Sequence, residues 1–344
     1  MQLTFNVPLG PLTTMKLGGN ARAFCTVCSE DDLVEATAWA TEHNVPMFMI
    51  GGGSNIIIGD DGFDGLVLKS EIKGFDIIEE DDCCFITVGA GELWDDVVER
   101  TVNMGLTGIE ALSLIPGTCG ATPIQNVGAY GQEVSDTITE LRAYDTTTND
   151  FVILRSSDCE FAYRDSRFKE REHGRFLITT ITFKLQKGQL QPPYYRALEQ
   201  YMVEHNITDY SPASVRAAVI AVRQSKLPNP NVVANTGSFF KNPITSVEVF
   251  NAIQQKYPNA PGWPLENNMV KIPAGWLLET AGFKGYQHSN GMGMYEQHAL
   301  VMVNNSASSF ADLVEFKEEI TAKVEQMFKV TLTVEPEIIS NIPV

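Results

Sequence analysis

The sequence is short of positive charge: 25 lysines and arginines stand against 43 aspartates and glutamates, a formal net charge of −18. That balance repels nucleic acid and anionic membrane surfaces, so neither is an expected partner. No uncharged apolar run approaches the roughly 20 residues that span a bilayer. The opening MQLTFNVPLG lacks the basic flank and apolar stretch of a secretory signal, and a cytoplasmic location is expected. Cysteines are few, at positions 25, 28, 83, 84, 119 and 159. In an intracellular chain they are expected as reduced thiols. Cys25-x-x-Cys28 has no second pair to complete a zinc site, so burial as small apolar residues outweighs a redox or zinc role, and no metal is expected. The G-x-G-x-x-G spacing of nicotinamide-type nucleotide folds is missing from the glycine runs.

What is present describes a globular chain. At 344 residues and 44% hydrophobic content, two or three domains with real cores are expected. SEDDLVEATAWATEHNVP reads as a helix capped by Ser29, with acids at its positive end. VPMFMIGGGSNIII reads as two apolar strands around a glycine turn, and CCFITVGAG as another strand. ELWDDVVERTVNMG forms a short helix with Gly105 at its end. Strands recur in TELRAYD, DFVILR and RFLITTITFKL, and SPASVRAAVIAVRQSK is helical. Apolar positions 310, 313, 316, 320 and 324 predict a last helix over about 307–328, and VTLTVEPEII alternates like a strand. Strands and helices intermingle without regular alternation, which makes the class α+β. The prolines of Leu227–Pro228–Asn229–Pro230 mark the best boundary.

Two loops carry the first chemistry. In GGGSN (51–55), Gly51, Gly52 and Gly53 let the backbone approach a ligand, their N–H groups can cup an anion, and Ser54 and Asn55 add polar side chains. A tight hairpin would use the same residues. IPGTCGATPIQNVGAYG (115–131) crowds four glycines and two prolines with Thr118, Gln125 and Asn126, and has few charges. It suits packing against a flat, partly apolar ring system bearing a diphosphate, such as a flavin; a structural Gly/Pro loop is the alternative. From Arg216 to Lys284 the local balance reverses, with seven basic residues against Glu248, Glu266 and Glu279, which either forms a pocket for a small anion or is surface variation. Inside that span, ANTGSFFKNP sets Ser238 beside Phe239, Phe240, Lys241 and Asn242, either a buried turn or a proton donor kept dry.

GGGSN, IPGTCGATPIQNVGAYG, FAYRDSRFK (161–169), NTGSFFKNP (235–243), AGWLLETAGFKG (274–285) and the terminal EPE (335–337) follow one another in order. This set resembles the UDP-N-acetylenolpyruvoylglucosamine reductase family of bacterial peptidoglycan synthesis, from about residue 13 to residue 338, and the span 186–225 resembles the extra segment of its longer, type I form. The resemblance implies a three-domain flavoprotein. A vanillyl-alcohol-oxidase-type FAD-binding fold would comprise a first subdomain (1–72, joined by the tail 331–344) and a second (73–227), with a separate α+β substrate domain over 228–330. It implies non-covalent FAD, NADPH as reductant, a UDP-sugar as substrate and, as the expected state, a monomer. Hydride from flavin N5 would reach the enolpyruvyl β-carbon of UDP-N-acetylglucosamine enolpyruvate, and a proton would reach the α-carbon, giving UDP-N-acetylmuramate.

Residue by residue, the resemblance makes Ser238 the proton donor, Arg164 the cation that meets charge developing on the carboxylate, and Glu337 the catalytic carboxylate. In isolation Ser238 could cap a turn, Arg164 could pair with Asp165 at the surface, and Glu337 could face solvent. Gly51, Gly52, Gly53, Ser54, Asn55, Pro116, Gly117, Gln125, Asn126, Gly128, Ala129, Tyr130 and Arg223 are expected to hold the flavin. Tyr195 (with Tyr194 adjacent), Lys226 and Asn242 are expected at the UDP-sugar. His298 stands where the family often has glutamine, as a donor whose charge varies near neutral pH or as an ordinary strand histidine. Ile339 replaces an arginine usual in the family, which removes a flavin contact or leaves it to another residue. An FAD-dependent alcohol oxidase of the same fold would not need Ser238, Arg164 and Glu337 together, and a non-catalytic nucleotide-sugar binder would not need the proton donor.

Overall fold

Local chemistry starts and stops the helices. In the computed structural model, which describes residues 1–169, 171–189 and 196–340, α1 spans Glu30–Glu42, α2 Trp94–Asn103, α3 Arg196–Glu204, α4 Pro212–Lys226, α5 Val247–Lys256, α6 Ala274–Thr280 and α7 Phe310–Phe328. Ser29 Oγ accepts the Asp32 N–H at 3.1 Å, so α1 begins where the sequence placed its cap. α7 starts three residues later than expected because Ser309 and Asp312 close a reciprocal capping box there. Its buried stripe, Phe310, Leu313, Phe316, Ile320, Val324 and Phe328, keeps the predicted spacing, each side chain contributing about 1.5–3 kcal/mol of burial.

The chain divides into two compact units. The first holds Met1–Val7, Ala21–Gly53 and Asp64–Gln224, and the second holds Pro8–Asn20, Ser54–Phe63 and Ser225–Val344. The chain crosses between them several times, the last time after Gln224.

In the first unit a four-stranded sheet runs in the order Thr4–Pro8, Asn20–Val27, Phe63–Ser70, Met47–Ile50. Leu33, Ala36 and Ala40 of α1 pack with Ala23, Cys25, Val27, Leu66 and Leu68 of that sheet. A six-stranded sheet is built around Phe176–Lys187, which pairs antiparallel with Ile138–Asp145 and with Cys83–Gly89. Trp94, Val97, Val98 and Val102 of α2 share its core. α3 and α4 join through Leu198, Met202, Val215, Ala218 and Val219.

The second unit sets Ala234–Ser238 beside Val301–Asn304 and Met292–Met294, with α6 and α7 contributing to one apolar core that also encloses Phe239 and Phe240. The tail is less regular than its alternation predicted: only Glu337–Ile339 forms a strand, parallel to Ile56–Ile58. Pro336 has no N–H to give a ladder, and the stretch before it bonds singly, Lys241 N–H to Thr333 O and Glu335 N–H to Phe239 O, both at 2.9 Å.

The six cysteines are free thiols, and five are buried. Burial pushes the Cys25 thiol up to about 11, the behaviour of a small core residue. Among the described residues no group of three or more His, Cys, Asp or Glu is arranged to hold a metal ion, and no helix is long and apolar enough to cross a membrane.

Candidate active site

The GGGSN stretch is not a hairpin. The strand before it, Met47–Ile50, pairs in parallel with Phe63–Ser70, and the strand after it, Ile56–Ile58, pairs in parallel with Glu337–Ile339. The division between the units falls between Gly53 and Ser54, so Gly51–Gly53 belong to the first unit and Ser54 and Asn55 to the second.

In the first unit, Gly51 and Gly52 lie against the second glycine-rich loop. A Cβ on Gly52 would come within 2.8 Å of Gly117 Cα, and one on Gly51 within 2.2 Å of Thr118 Oγ1. The 115–121 loop is fixed from its other side: Trp94 N–H donates to Gly117 O at 3.1 Å, Cys119 N–H to Glu92 O and Gly120 N–H to Ala90 O, both at 2.9 Å. Pro116 at its tip is exposed. Farther along, Gly128–Ala129 pairs with Gln132–Glu133, and Tyr130 turns between them with a left-handed backbone (φ 51°). Asn126 is buried, also left-handed (φ 47°), and its amide is already occupied. Nδ2 donates to Glu133 Oε2 and Ala162 O, and Oδ1 accepts the Ser135 N–H. Asn126, expected at the flavin, is thus also a clamp on the loop, with both amide protons engaged inside the protein. Gln125 is half-buried on the same loop.

Arg164 is a third left-handed residue (φ 54°). Its guanidinium donates to Gly128 O at 2.5 Å, lies 3.9 Å from Glu133 and packs over Tyr163. It therefore braces the 128–133 turn, and the simple surface pair with Asp165 is not what it forms. Non-glycine residues held in this region of backbone space cost about 1–3 kcal/mol each and concentrate at functional sites. Arg223, in the last turn of α4, bonds Tyr130, and burial holds its guanidinium below the ordinary arginine range despite that partner.

In the second unit, Ser238 ends the strand Ala234–Ser238, beyond a register shift. Gly237 (φ 73°) makes that turn, closed by its N–H donating to Asn235 Oδ1 at 2.8 Å. Asn235, not Ser238, therefore does the capping. The next two side chains, Phe239 and Phe240, are fully buried and meet edge to face. Glu337 is half-buried, and its N–H donates to Asn55 O at 2.9 Å, which ties the terminal strand to the end of GGGSN. Asn242 Oδ1 accepts the Ala274 N–H at 2.9 Å, so the residue expected at substrate also opens α6. Lys226 is exposed at the end of α4.

His298 is half-buried, and its Nδ1 accepts the Leu300 N–H at 3.2 Å, which leaves the ring proton on Nε2. Burial, with Lys226 and Lys284 adding to it, lowers its pKa. The Leu300 hydrogen bond and the lowered pKa both favour the neutral ring over the charged one. The positive stretch is also less bare than its composition, because Arg216 pairs with Asp95 and Lys284 with Glu279. Tyr195 and Tyr194 lie outside the described residues.

The residues fit a dinucleotide ring cofactor. Of the three buried side-chain polar atoms without a hydrogen-bond partner among the described residues of the first unit, two, Thr118 Oγ1 and Arg223 Nε, belong to the 115–121 loop and to α4 (the third is Ser70 Oγ), and glycines stand where a Cβ would collide. Sequence reasoning noted Thr118 in this loop without giving it a contact, and passed over Glu133, which holds both Asn126 and Arg164.

Residues 21–149 match the FAD binding domain family, and residues 229–339 match the C-terminal domain of UDP-N-acetylenolpyruvoylglucosamine reductase. The UDP-N-acetylenolpyruvoylglucosamine reductase of Pseudomonas syringae pv. syringae is 38% identical over 98% of both chains, and that of Dechloromonas aromatica is 40% identical over 98% of this chain and 99% of its own. The chain belongs to the UDP-N-acetylenolpyruvoylglucosamine reductase family. It is an FAD-dependent oxidoreductase with an α+β flavoprotein fold. The crystal structure of the reductase from Thermus caldophilus shares that fold across 98% of each chain, with a TM-score of 0.67 at 20% identity.

Proposed function

We propose that the protein reduces UDP-N-acetylglucosamine enolpyruvate to UDP-N-acetylmuramate, with NADPH as electron donor. The observation that carries this reading is the 38–40% identity to curated reductases of that name over nearly the full chain. FAD, when bound, supplies the hydride.

The chain's own residues then have distinct tasks. Gly51, Gly52, Gly53, Ser54, Asn55, Pro116, Gly117, Gln125, Gly128, Ala129, Tyr130 and Arg223 would hold the flavin, and Asn126 would keep their loop in shape. Arg164 would meet the negative charge that spreads into the substrate carboxylate. Ser238 would deliver the proton to the α-carbon. A neutral hydroxyl suits that step, since the enolate is a strong base and an ionised acid would repel the carboxylate. Phe239 and Phe240 would exclude water behind it, and Glu337 would support the proton transfer directly or through water. Lys226, Tyr195, Asn242 and His298, the last as a fixed Nε2–H donor, would hold the UDP-sugar. NADPH and substrate would take turns at the flavin. The finer division of the chain at residues 72 and 227 belongs to the same proposal.

The test is anaerobic. The protein is reduced with NADPH, its visible spectrum recorded, and UDP-N-acetylglucosamine enolpyruvate added. Rapid return of the oxidised flavin spectrum supports the reductase. A protein that stays reduced until oxygen enters is the alcohol oxidase, and one that cannot be loaded with FAD is neither. Non-competition between NADPH and substrate in steady-state kinetics would end the shared-site proposal.

A further inference from the structure

Leu114 opens the second glycine-rich loop with a left-handed backbone (φ 59°), a conformation leucine rarely adopts. One contact holds it there: the Leu114 N–H donates to Asp95 Oδ1 at 2.5 Å. The same carboxylate takes both prongs of the Arg216 guanidinium, at 2.6 Å to Oδ1 and 3.0 Å to Oδ2. Arg216 is 8% exposed, with Glu99 at 3.7 Å as its only other carboxylate among the described residues. Burial opposes charge on Asp95, yet the hydrogen bonds from Arg216 and Leu114 and the nearby guanidinium of Arg223 bring its carboxyl below the ordinary range.

Arg216 stands seven residues before Arg223 on α4, two turns along one face. The ion pair thus fixes two things at once. One is the start of the loop that carries Thr118 Oγ1 four residues on. The other is the helix that carries Arg223 Nε. Those are the two buried polar atoms of the cradle without partners. Both Asp95 oxygens and two guanidinium nitrogens of Arg216 are engaged within the pair or with Leu114.

We propose that Asp95 and Arg216 are positioning residues for the flavin site, setting the 114–118 loop and the last turns of α4 at the right places without touching the cofactor. The inference rests on the FAD reading. Apoprotein of the wild type, Asp95→Asn, Arg216→Met and Arg216→Lys is titrated with FAD, following flavin fluorescence, and the melting temperature of each apoprotein is taken in parallel. Arg175→Lys, which loosens a comparable pair with Asp145 elsewhere in the unit, serves as control.

The expected result is FAD affinity weakened roughly 10- to 100-fold in Asp95→Asn and Arg216→Met, the range seen when residues that orient ligand-holding groups are removed. Arg216→Lys should be intermediate, because a lysine keeps the charge and loses the fork. Arg175→Lys should lower the melting temperature and leave the affinity unchanged. Variants that melt earlier yet bind FAD as tightly as wild type would overturn the proposal and leave the pair a structural strut. If Arg216→Met does not fold, Arg216→Lys and Asp95→Asn decide in the same way. Wild-type apoprotein that takes up no FAD would remove the cofactor reading first, and the inference with it.

Discussion

The two units build their parts of the chemistry by different means. The first works with backbone: glycines at van der Waals limit, left-handed turns at Asn126, Tyr130 and Arg164, and a loop pinned by main-chain hydrogen bonds. The second works with side chains mounted on ordinary elements. Ser238 stands at a strand end, Glu337 in a short parallel pair and His298 before a strand, all in or beside a conventional apolar core. A backbone-built cradle depends on shape and tolerates little added volume. A side-chain-built site tolerates truncation structurally and loses only chemistry.

Ser238→Ala gives the largest separation between the two. Removing a positioned proton donor costs about 10²–10⁴-fold in rate. Turnover should fall by that factor while flavin reduction by NADPH and FAD affinity stay close to wild type. Equal loss in both half-reactions, measured by stopped flow, would refute the assignment. Arg164→Met should rank next, at about 10²–10³-fold in kcat. Because Arg164 also braces Gly128 O and Glu133, this variant should weaken FAD binding as well, and a pure kcat effect would show that the brace is dispensable.

Gly52→Ala tests the other mode. Its Cβ would meet Gly117 Cα at 2.8 Å, backbone against backbone, so neither side can rotate away. Overpacking of this kind costs about 1–3 kcal/mol. The loss should appear as weaker FAD binding in a fluorescence titration, with kcat at saturating FAD within a few-fold of wild type. Unchanged affinity would mean that the two loops are free to part.

How much of this was legible in the sequence follows the same division. Glycine runs advertise backbone geometry, so both loops were found from composition, and helix caps such as Ser29 were found from local pattern. Individual roles were harder. Nothing in the chain near Ser238 distinguishes a proton donor from a turn cap; that reading came from resemblance, and the structure contributes only that Asn235 does the capping. Asp95 drew no notice in the sequence, because its partner Arg216 is 121 residues away. The clamp role of Asn126 was not legible, because an amide's own neighbours are invisible until the loop is folded.

His298 gives the smallest effect and the sharpest test of the side-chain mode. In the folded protein its pKa is lowered by burial and by Lys226 and Lys284, and protonation of Nδ1 would set an N–H against the Leu300 N–H. Unfolded, it takes up a proton near the ordinary value of 6.5. The unfolded state therefore binds more protons on the acid side, and stability declines as the pH drops through about 6.5 and on toward the lower folded value. Above about pH 7.5 the residue is neutral in both states and contributes no slope. His298→Gln removes that titration while keeping a neutral amide donor. Its melting temperature relative to wild type should be level above pH 7.5 and rise by about 1–2 °C by pH 5.5. A difference that stays constant across the range would mean that the ring is protonated as easily in the folded protein as out of it. The fixed neutral donor at position 298 would then have to be given up.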